Sequence, residues 1–467
     1  MMKSRSLILL LAGILLITVQ SCTGRKSNTQ SQTEMEKEYP VTLMTLEPGH
    51  FHAALVQKSM YEEVNPVAYV YAPRGPELEN FLAFIESFNS RPDHPTAWKE
   101  VVYDRPDYFT KMLLERPGNV VVLSGNNARK TEYILRSIEA GLNVYADKPM
   151  VITPGAYPLL VSAFDTARSR GLLLYDIMTE RFEITALLQR ELAALPWLFG
   201  TLDPGTPDDP SLVQESVHRF YKKVAGRPLI RPAWSFDVSQ QGEGIVDVST
   251  HLVDLILWGA FPGQAVSRDQ VEVLRGRHWT TDLTPTQFRT VTGLDSWPAF
   301  LLPYVEDTLL RVMANGEILF RVRDIHARTR VEWTYHTPAA SDTHYSLMRG
   351  TLCELIISQK EQENYHPVLY VKALTSPART EEALQRAMNE VIRPRYPGVG
   401  VEEVKEGLWK LVIPGKYDVG HEAHFRQVTE NYLDYLLHGT MPAWEVPNIL
   451  TKYWITTRAL ELARGEE

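Results

Sequence analysis

The sequence predicts an α/β protein. A Rossmann-like doubly wound parallel sheet spans residues 39–176, and an α+β domain with a mostly antiparallel open sheet spans 177–467. Three observations carry this prediction. Short apolar runs alternate with helical segments from Val41 onward, which is the signature of parallel βαβ units. Runs such as Val120-Val121-Val122-Leu123 have no polar face, as strands covered on both sides require. Beyond about residue 180 the strand candidates lengthen and alternate, as antiparallel strands with one solvated face do.

The elements follow in order. Val41 to Leu46 reads as a buried strand broken by Pro48-Gly49, and Ala53 to Tyr61 as a helix. Val67 to Tyr71 is a strand ended by Pro73, followed by helices over Glu77 to Phe88 and Asp107 to Leu114. Asn119 to Leu123 is a strand, Arg129 to Ala140 a helix stopped by Gly141, and Leu142 to Ala146 a strand. Pro154 to Ser169 is helical and Leu172 to Tyr175 extended. In the second half, Leu309 to Val322 carries Ala314-Asn315-Gly316 at its centre. Asn-Gly suits a type I′ turn, so a hairpin is expected there. Further strands are expected at Thr351 to Ser358, Val368 to Leu374 and Leu408 to Ile413, and helices at His424 to Leu437 and Val446 to Ala463.

The chain has 467 residues, 44% of them apolar and 22% charged, enough to bury a full core. Its formal charge of −9 excludes nucleic acid as the expected partner, because phosphate backbones are bound by clustered Lys and Arg. Lys3 and Arg5 precede an apolar run from Leu7 to Val19, too short for a span of about 20 residues. It has the length of a signal-peptide core. The run ends at Val19-Gln20-Ser21-Cys22, which resembles a bacterial lipobox. That resemblance implies a signal peptide over 1–21, lipid on Cys22 and a polar tether to residue 38. The expected location is the bacterial cell envelope, facing the periplasm, with membrane contact through the lipid only. Cys353, the other of two cysteines, then has no disulfide partner.

In a doubly wound sheet, ligands bind beyond the carboxyl ends of the strands. The residues there are Pro48-Gly49-His50-Phe51-His52, then Arg74, Ser124-Gly125-Asn126-Asn127 and Asp147-Lys148-Pro149. The frame from Val120 through Asn127, a helix, and Gly141 through Met150 resembles the core of the Gfo/Idh/MocA family, with Asp147 where the family has Glu. A second stretch, Gly242-Glu243-Gly244 to Asp254, resembles that family's glycine-rich loop and Asp-x-x-x-His helix. Asp247 and His251, four apart, are expected on one helical face. The resemblance implies an NAD- or NADP-dependent enzyme. His251 would be the general base, Lys148 its cationic partner at the substrate hydroxyl, and Asp247 the substrate or orienting carboxylate. Histidine suits proton removal near neutral pH, and a nearby carboxylate can orient it.

By the same placement, Gly49, His50, Phe51, His52, Arg74, Ser124, Asn126, Asn127 and Lys148 are the expected cofactor-binding residues. The first loop departs from the family: of Gly-x-Gly-x-x-Gly only Gly49 remains, and the acidic residue expected after the second strand is missing. Arg74 near that point suits a 2′-phosphate. Arg181, Trp234 and His421 are expected at the substrate. No metal ligand is assigned. His421 and His424, three apart, lack the zinc-protease spacing. The expected activity is oxidation of a sugar, glycoside or polyol with hydride passing to a tightly held nicotinamide. Two rivals are a glycosidase working by transient oxidation and elimination, and a non-catalytic sugar-binding lipoprotein. Subunit pairing through the open sheet is also expected.

Overall fold

The computed structural model describes residues 38–224, 227–335 and 341–465; the leader, Cys22 and the tether to residue 37 lie outside the described residues. The first sheet contains β1 (Leu43–Leu46), β2 (Val67–Tyr71), β3 (Lys99–Tyr103), β4 (Val120–Leu123), β5 (Asn143–Asp147) and β6 (Leu174–Ile177). All are parallel, in the order β3-β2-β1-β4-β5-β6. The chain reverses direction between β1 and β4, so the switch-point crevice lies beyond their carboxyl ends. Helices α1 (His52–Val56), α2 (Pro76–Ser90), α3 (Tyr108–Glu115), α4 (Lys130–Glu139) and α5 (Tyr157–Arg170) connect these strands. The expected strand–helix alternation is present. Its omission is β3, a largely exposed edge strand whose only apolar run is the short Val101-Val102-Tyr103.

After α6 (Ile184–Ala193) a second sheet begins with β7 (Leu212–Arg219). A two-stranded ribbon, β8 (Lys223–Val224) and β9 (Arg227–Pro228), and α7 (Ser249–Ala260) come next. Then follow β10 (Val271–Leu283), α8 (Pro285–Thr292), β11 (Val305–Glu306), β12 (Leu309–Val322), β13 (Ile325–Thr334), β14 (Thr343–Arg349), β15 (Cys353–Gln359) and β16 (Val368–Ala373). Helices α9 (Pro377–Ala387) and α10 (Arg393–Arg395), strands β17 (Gly400–Lys405) and β18 (Leu408–Val412), and helices α11 (His421–His438) and α12 (Glu445–Arg464) complete the chain. The sheet runs β10-β12-β13-β7-β14-β15-β16-β18-β17, antiparallel except where β13 meets β7.

The expected hairpin at Asn315-Gly316 is not formed, because β12 continues straight through it. Asn315 is held in the sheet by its side chain. Its Nδ2 donates to the Trp279 carbonyl (3.0 Å) and Thr281 Oγ1 (2.9 Å), and its Oδ1 accepts from the Trp333 amide (2.7 Å). Gly316 serves close approach rather than a turn: a Cβ there would lie 2.6 Å from Ile245. Three amide bonds to Asn315 and a packed loop outweigh the local turn preference.

The C-terminal helices return to the first sheet. Phe425, Val428, Tyr432 and Leu433 of α11 and Ile449 and Tyr453 of α12 join its core, and Tyr145 stacks on Tyr432 at 4.4 Å. The expected boundary at residue 176 falls within β6 and does not divide the cores, since that of the first sheet takes in residues of α11 and α12; the described residues from Tyr39 onward pack as one compact unit. Among the described residues, no helix is long and apolar enough to cross a membrane.

Candidate active site

The loop after β1 sets the shape of the crevice. The amides of Gly49 and His50 both donate to the Ser124 carbonyl at 3.2 Å. The loops touch so closely that a Cβ on Gly125 would lie 2.2 Å from the Glu47 carbonyl oxygen. The Glu47 carboxylate fills the remaining space, accepting from Tyr133 (2.6 Å) and Tyr108 (3.3 Å). Burial raises its pKa against those two hydroxyls. The residual void among Glu47, Ser124, Asn126, Lys130 and Tyr133 is about 10 Å³. The first amides of α1 are also used, Ala53 on the His50 carbonyl and Ala54 on that of Phe51. In this arrangement the residues do not fit a dinucleotide pyrophosphate: the amides that would cradle it are committed, and an acidic side chain stands in its place.

The other expected cofactor residues are likewise engaged. Asn126 donates to Gln240 Oε1 (2.6 Å) and Asn127 to the Gln241 carbonyl (2.8 Å), tying the β4 loop to the segment ahead of α7. Arg74 pairs with Asp104 at the surface. The Phe51 ring is exposed.

His50 and His52 turn inward beside the end of β5. His52 Nδ1 lies 2.9 Å from Asp147 Oδ2, and Ser124 Oγ donates to the same oxygen at 2.9 Å. His50 Nδ1 is 3.8 Å from it. His52 Nε2 faces His421 Nε2, from the first turn of α11, at 3.2 Å. His50, His52 and Asp147 could hold a metal ion, since one ligand atom from each lies within 4.8 Å of the others.

Lys148, the next residue, donates to Asp247 Oδ1 at 2.8 Å, and Gln241 donates to Oδ2 at 2.9 Å. Burial opposes the charge on Lys148, but Asp247 and Asp147 outweigh it and hold its pKa above the usual value. Asp247 lies in the turn before α7 and takes Lys148 and Gln241; among the described bonds none joins it to His251, contrary to the orienting role expected for it. His251, one turn into the helix, has a buried Nδ1 without a partner. Burial, then Lys148, pushes its pKa well down, so it is neutral.

His251, His421 and Glu180 border a cavity of about 360 Å³ between α6, α7 and strands β7, β14 and β15. Gln189 and Gln214 line it with amides, Leu255 and Trp258 with apolar surface. Burial and then Glu183 raise Glu180 to about 7, while Lys148 works the other way. At the far end His218 meets Asp342 at 3.2 Å, and burial lowers His344 to about 4.

Two expected substrate residues are elsewhere. Arg181 is buried, with Nε and Nη2 on Asp254 (2.6 and 2.7 Å) and Nη1 on Glu445 (2.9 Å), so no edge is left for a ligand. Its neighbour Glu180 faces the cavity instead. Trp234 is 8% exposed and packs against the Gly49 loop rather than lining the cavity. Glu180, His218, Asp342 and His344 were missed. Only Glu180 had a local signal, its place after β6.

The fold is a Rossmann-type parallel sheet with an open-sheet second half. The family model described as "Putative oxidoreductase C terminal domain" matches residues 188–464. A "putative oxidoreductase" from Parabacteroides merdae ATCC 43184 is 48% identical, with a TM-score of 0.90 over 91% of this chain and 98% of its own. The chain belongs to this family of Gfo/Idh/MocA-like oxidoreductases. Two more distant structures share the fold. KijD10, a 3-ketoreductase from Actinomadura kijaniata solved with NADP and TDP-benzene, is 13% identical, with a TM-score of 0.55 over 91% of this chain and 98% of its own. GenD2 from gentamicin A biosynthesis, solved with NAD, is 14% identical, with a TM-score of 0.55 over 92% and 96%. No curated protein matches the chain in sequence.

Proposed function

We propose that this chain is an NAD- or NADP-dependent oxidoreductase acting on a sugar, glycoside or polyol bound in the 360 Å³ cavity. The observation that carries the proposal is that His251 borders that cavity while Lys148, held by Asp247, is near enough to help push its pKa down. His251 Nδ1 is sealed in the protein, so Nε2 is the nitrogen offered to a substrate hydroxyl, whose proton it accepts. The Lys148 ammonium stabilises the oxygen as that proton leaves. Asp247 keeps Lys148 charged and in place. Gln189 is held by Leu355 and Ser346 and Gln214 donates to Ser346, which leaves Gln214 Oε1 as the acceptor for a further hydroxyl and Trp258 as an apolar wall. Taking up the nucleotide requires the first loop to release the Ser124 carbonyl and Glu47 to leave the crevice. The lipobox-like segment supports export and lipid anchoring, where a retained nucleotide would serve better than a freely exchanging one.

The closed crevice favours a second reading, a sugar-binding lipoprotein without nucleotide. One experiment separates them: denature the purified protein, identify any released small molecule by mass spectrometry, and titrate the native protein with NADH and NADPH. Released or bound nicotinamide nucleotide at about one per chain supports the oxidoreductase. No release and no binding overturns it and leaves the carbohydrate-binding reading.

A further inference from the structure

The first loop carries two histidines where a nucleotide loop carries glycines, and neither ring is spent on packing alone. We propose that His50, His52 and Asp147 bind one divalent first-row transition-metal ion of the Zn²⁺ class, with His421 as the outer partner that holds His52.

Donor type comes first. Two imidazoles and one carboxylate are a set that such ions accept, with one or more positions left for water or substrate. The spacing is compatible. Donors bonded at about 2.0–2.1 Å around a tetrahedral ion stand about 3.3 Å apart. Here His52 Nδ1 and His50 Nδ1 lie 2.9 and 3.8 Å from Asp147 Oδ2, and one atom from each residue lies within 4.8 Å of the others.

Hydrogen-bond bookkeeping supports the same arrangement. Without an ion, Asp147 Oδ2 faces His52, Ser124 and His50 at once, while two ring nitrogens, His52 Nε2 and His421 Nε2, face each other at 3.2 Å. With an ion on His52 Nδ1, the ring proton sits on Nε2 and donates to His421 Nε2. His421 then carries its own proton on Nδ1, which faces Glu180 Oε1 at 3.9 Å. An outer acceptor of this kind fixes the tautomer and orientation of a metal-bound histidine. Lys148 is paired with Asp247, and Lys130 donates to the Asp147 carbonyl at 3.0 Å, so the Asp147 carboxylate oxygens stay turned to the two histidines. The cluster has an entry path, because the His50 side chain is 34% exposed while those of His52 and Asp147 are 11% and 6%.

The test is binding, read without activity or nucleotide. The purified protein is freed of metal with a chelator and titrated with Co²⁺ and with Zn²⁺, following heat by calorimetry and the visible Co²⁺ bands. One ion per chain is expected, with Co²⁺ absorption of low coordination number and release of about one proton. His52→Gln and Asp147→Asn should remove binding, and His421→Gln should weaken it roughly ten- to a hundredfold. Should the two buried variants fail to fold by circular dichroism, His50→Gln, at a partly exposed position, decides with a loss of at least about tenfold. His438→Gln, at an exposed histidine elsewhere, should bind like the parent. Absence of saturable binding by the parent, or parent-like binding by a folded His50→Gln or His52→Gln variant, would overturn the proposal.

Discussion

Two carboxylates seven residues apart, Asp247 and Asp254, meet cations in different settings. Asp254, inside α7, is enclosed by Arg181 in a two-point contact and by Lys452 at 3.0 Å; Lys452 continues to Asp176 at 2.6 Å and Arg181 to Glu445. Asp254, Arg181 and Lys452 each have two opposite partners, while Glu445 has Arg181 and Asp176 has Lys452, and the cluster joins β6, α7 and α12. Burial works against the Asp254 charge, yet Arg181 and Lys452 hold its pKa well below the usual range. Asp247, just ahead of α7, has one cation, Lys148, and one amide, Gln241. Among the described bonds, the Lys148 ammonium donates to Asp247 alone. A buried network whose cations are each shared by two carboxylates fixes a structure; a pair with a single cation leaves that cation free to act on a ligand.

Variants can break or sharpen this contrast. The largest effect is expected at the cavity. If the proposed function holds, His251→Gln should lower turnover on the proposed substrate by about two to four orders of magnitude. Its unfolding midpoint in urea should barely move, since no hydrogen bond to its buried Nδ1 is lost. Arg181→Met should do the opposite, destabilising the protein by about 3–5 kcal/mol because Asp254 and Glu445 lose their guanidinium. Chemical denaturation measures it, and a mild cost would mean the network is not what holds the halves together. Lys148→Met falls between: turnover is lost, and stability falls by about 1–3 kcal/mol, since Asp247 keeps Gln241.

A buried carboxylate without any cation extends the series. Glu100 on β3 accepts from Gln57 at 2.7 Å, its other oxygen has no partner, and burial raises its pKa to about 7. The folded protein then holds a proton that the unfolded chain gives up above about 4.5. The stability this contributes is complete below 4.5 and lost as pH rises through about 7. Glu100→Gln should flatten that decline and stabilise the protein at pH 8 by on the order of 1 kcal/mol, a figure reduced for partial exposure. The smallest effect is expected at Arg74, whose pairing with Asp104 is exposed. Arg74→Ala should leave the unfolding curve unchanged, and a large shift would show that surface pairs count here as buried ones do.

The first half was legible because each parallel strand and helix announces itself locally. The same held for the Asp147-Lys148-Pro149 turn, a short-range pattern, whereas the Asp247/His251 spacing did not place both on one helix, because α7 begins at Ser249. Arg181 was misassigned because neighbouring residues leave a strand end in opposite directions. Nothing local distinguishes the one facing the cavity, Glu180, from the one facing Asp254. Asn315-Gly316 was misread because its turn preference is real but small beside the contacts Trp279, Trp333 and Ile245 make with it.

By itself the sequence determined the alternation of elements, the change of sheet type after residue 180, and the lysine and histidine at the site, since these depend on periodicity and on patterns a few residues long. Only the tertiary structure decided that Ser124 closes the crevice, that Asp147 gathers His50 and His52, and that His421 reaches His52 from 369 positions away. Those contacts depend on which strand ends and helix ends the packed cores bring within a few ångströms, and sequence separation carries no such information.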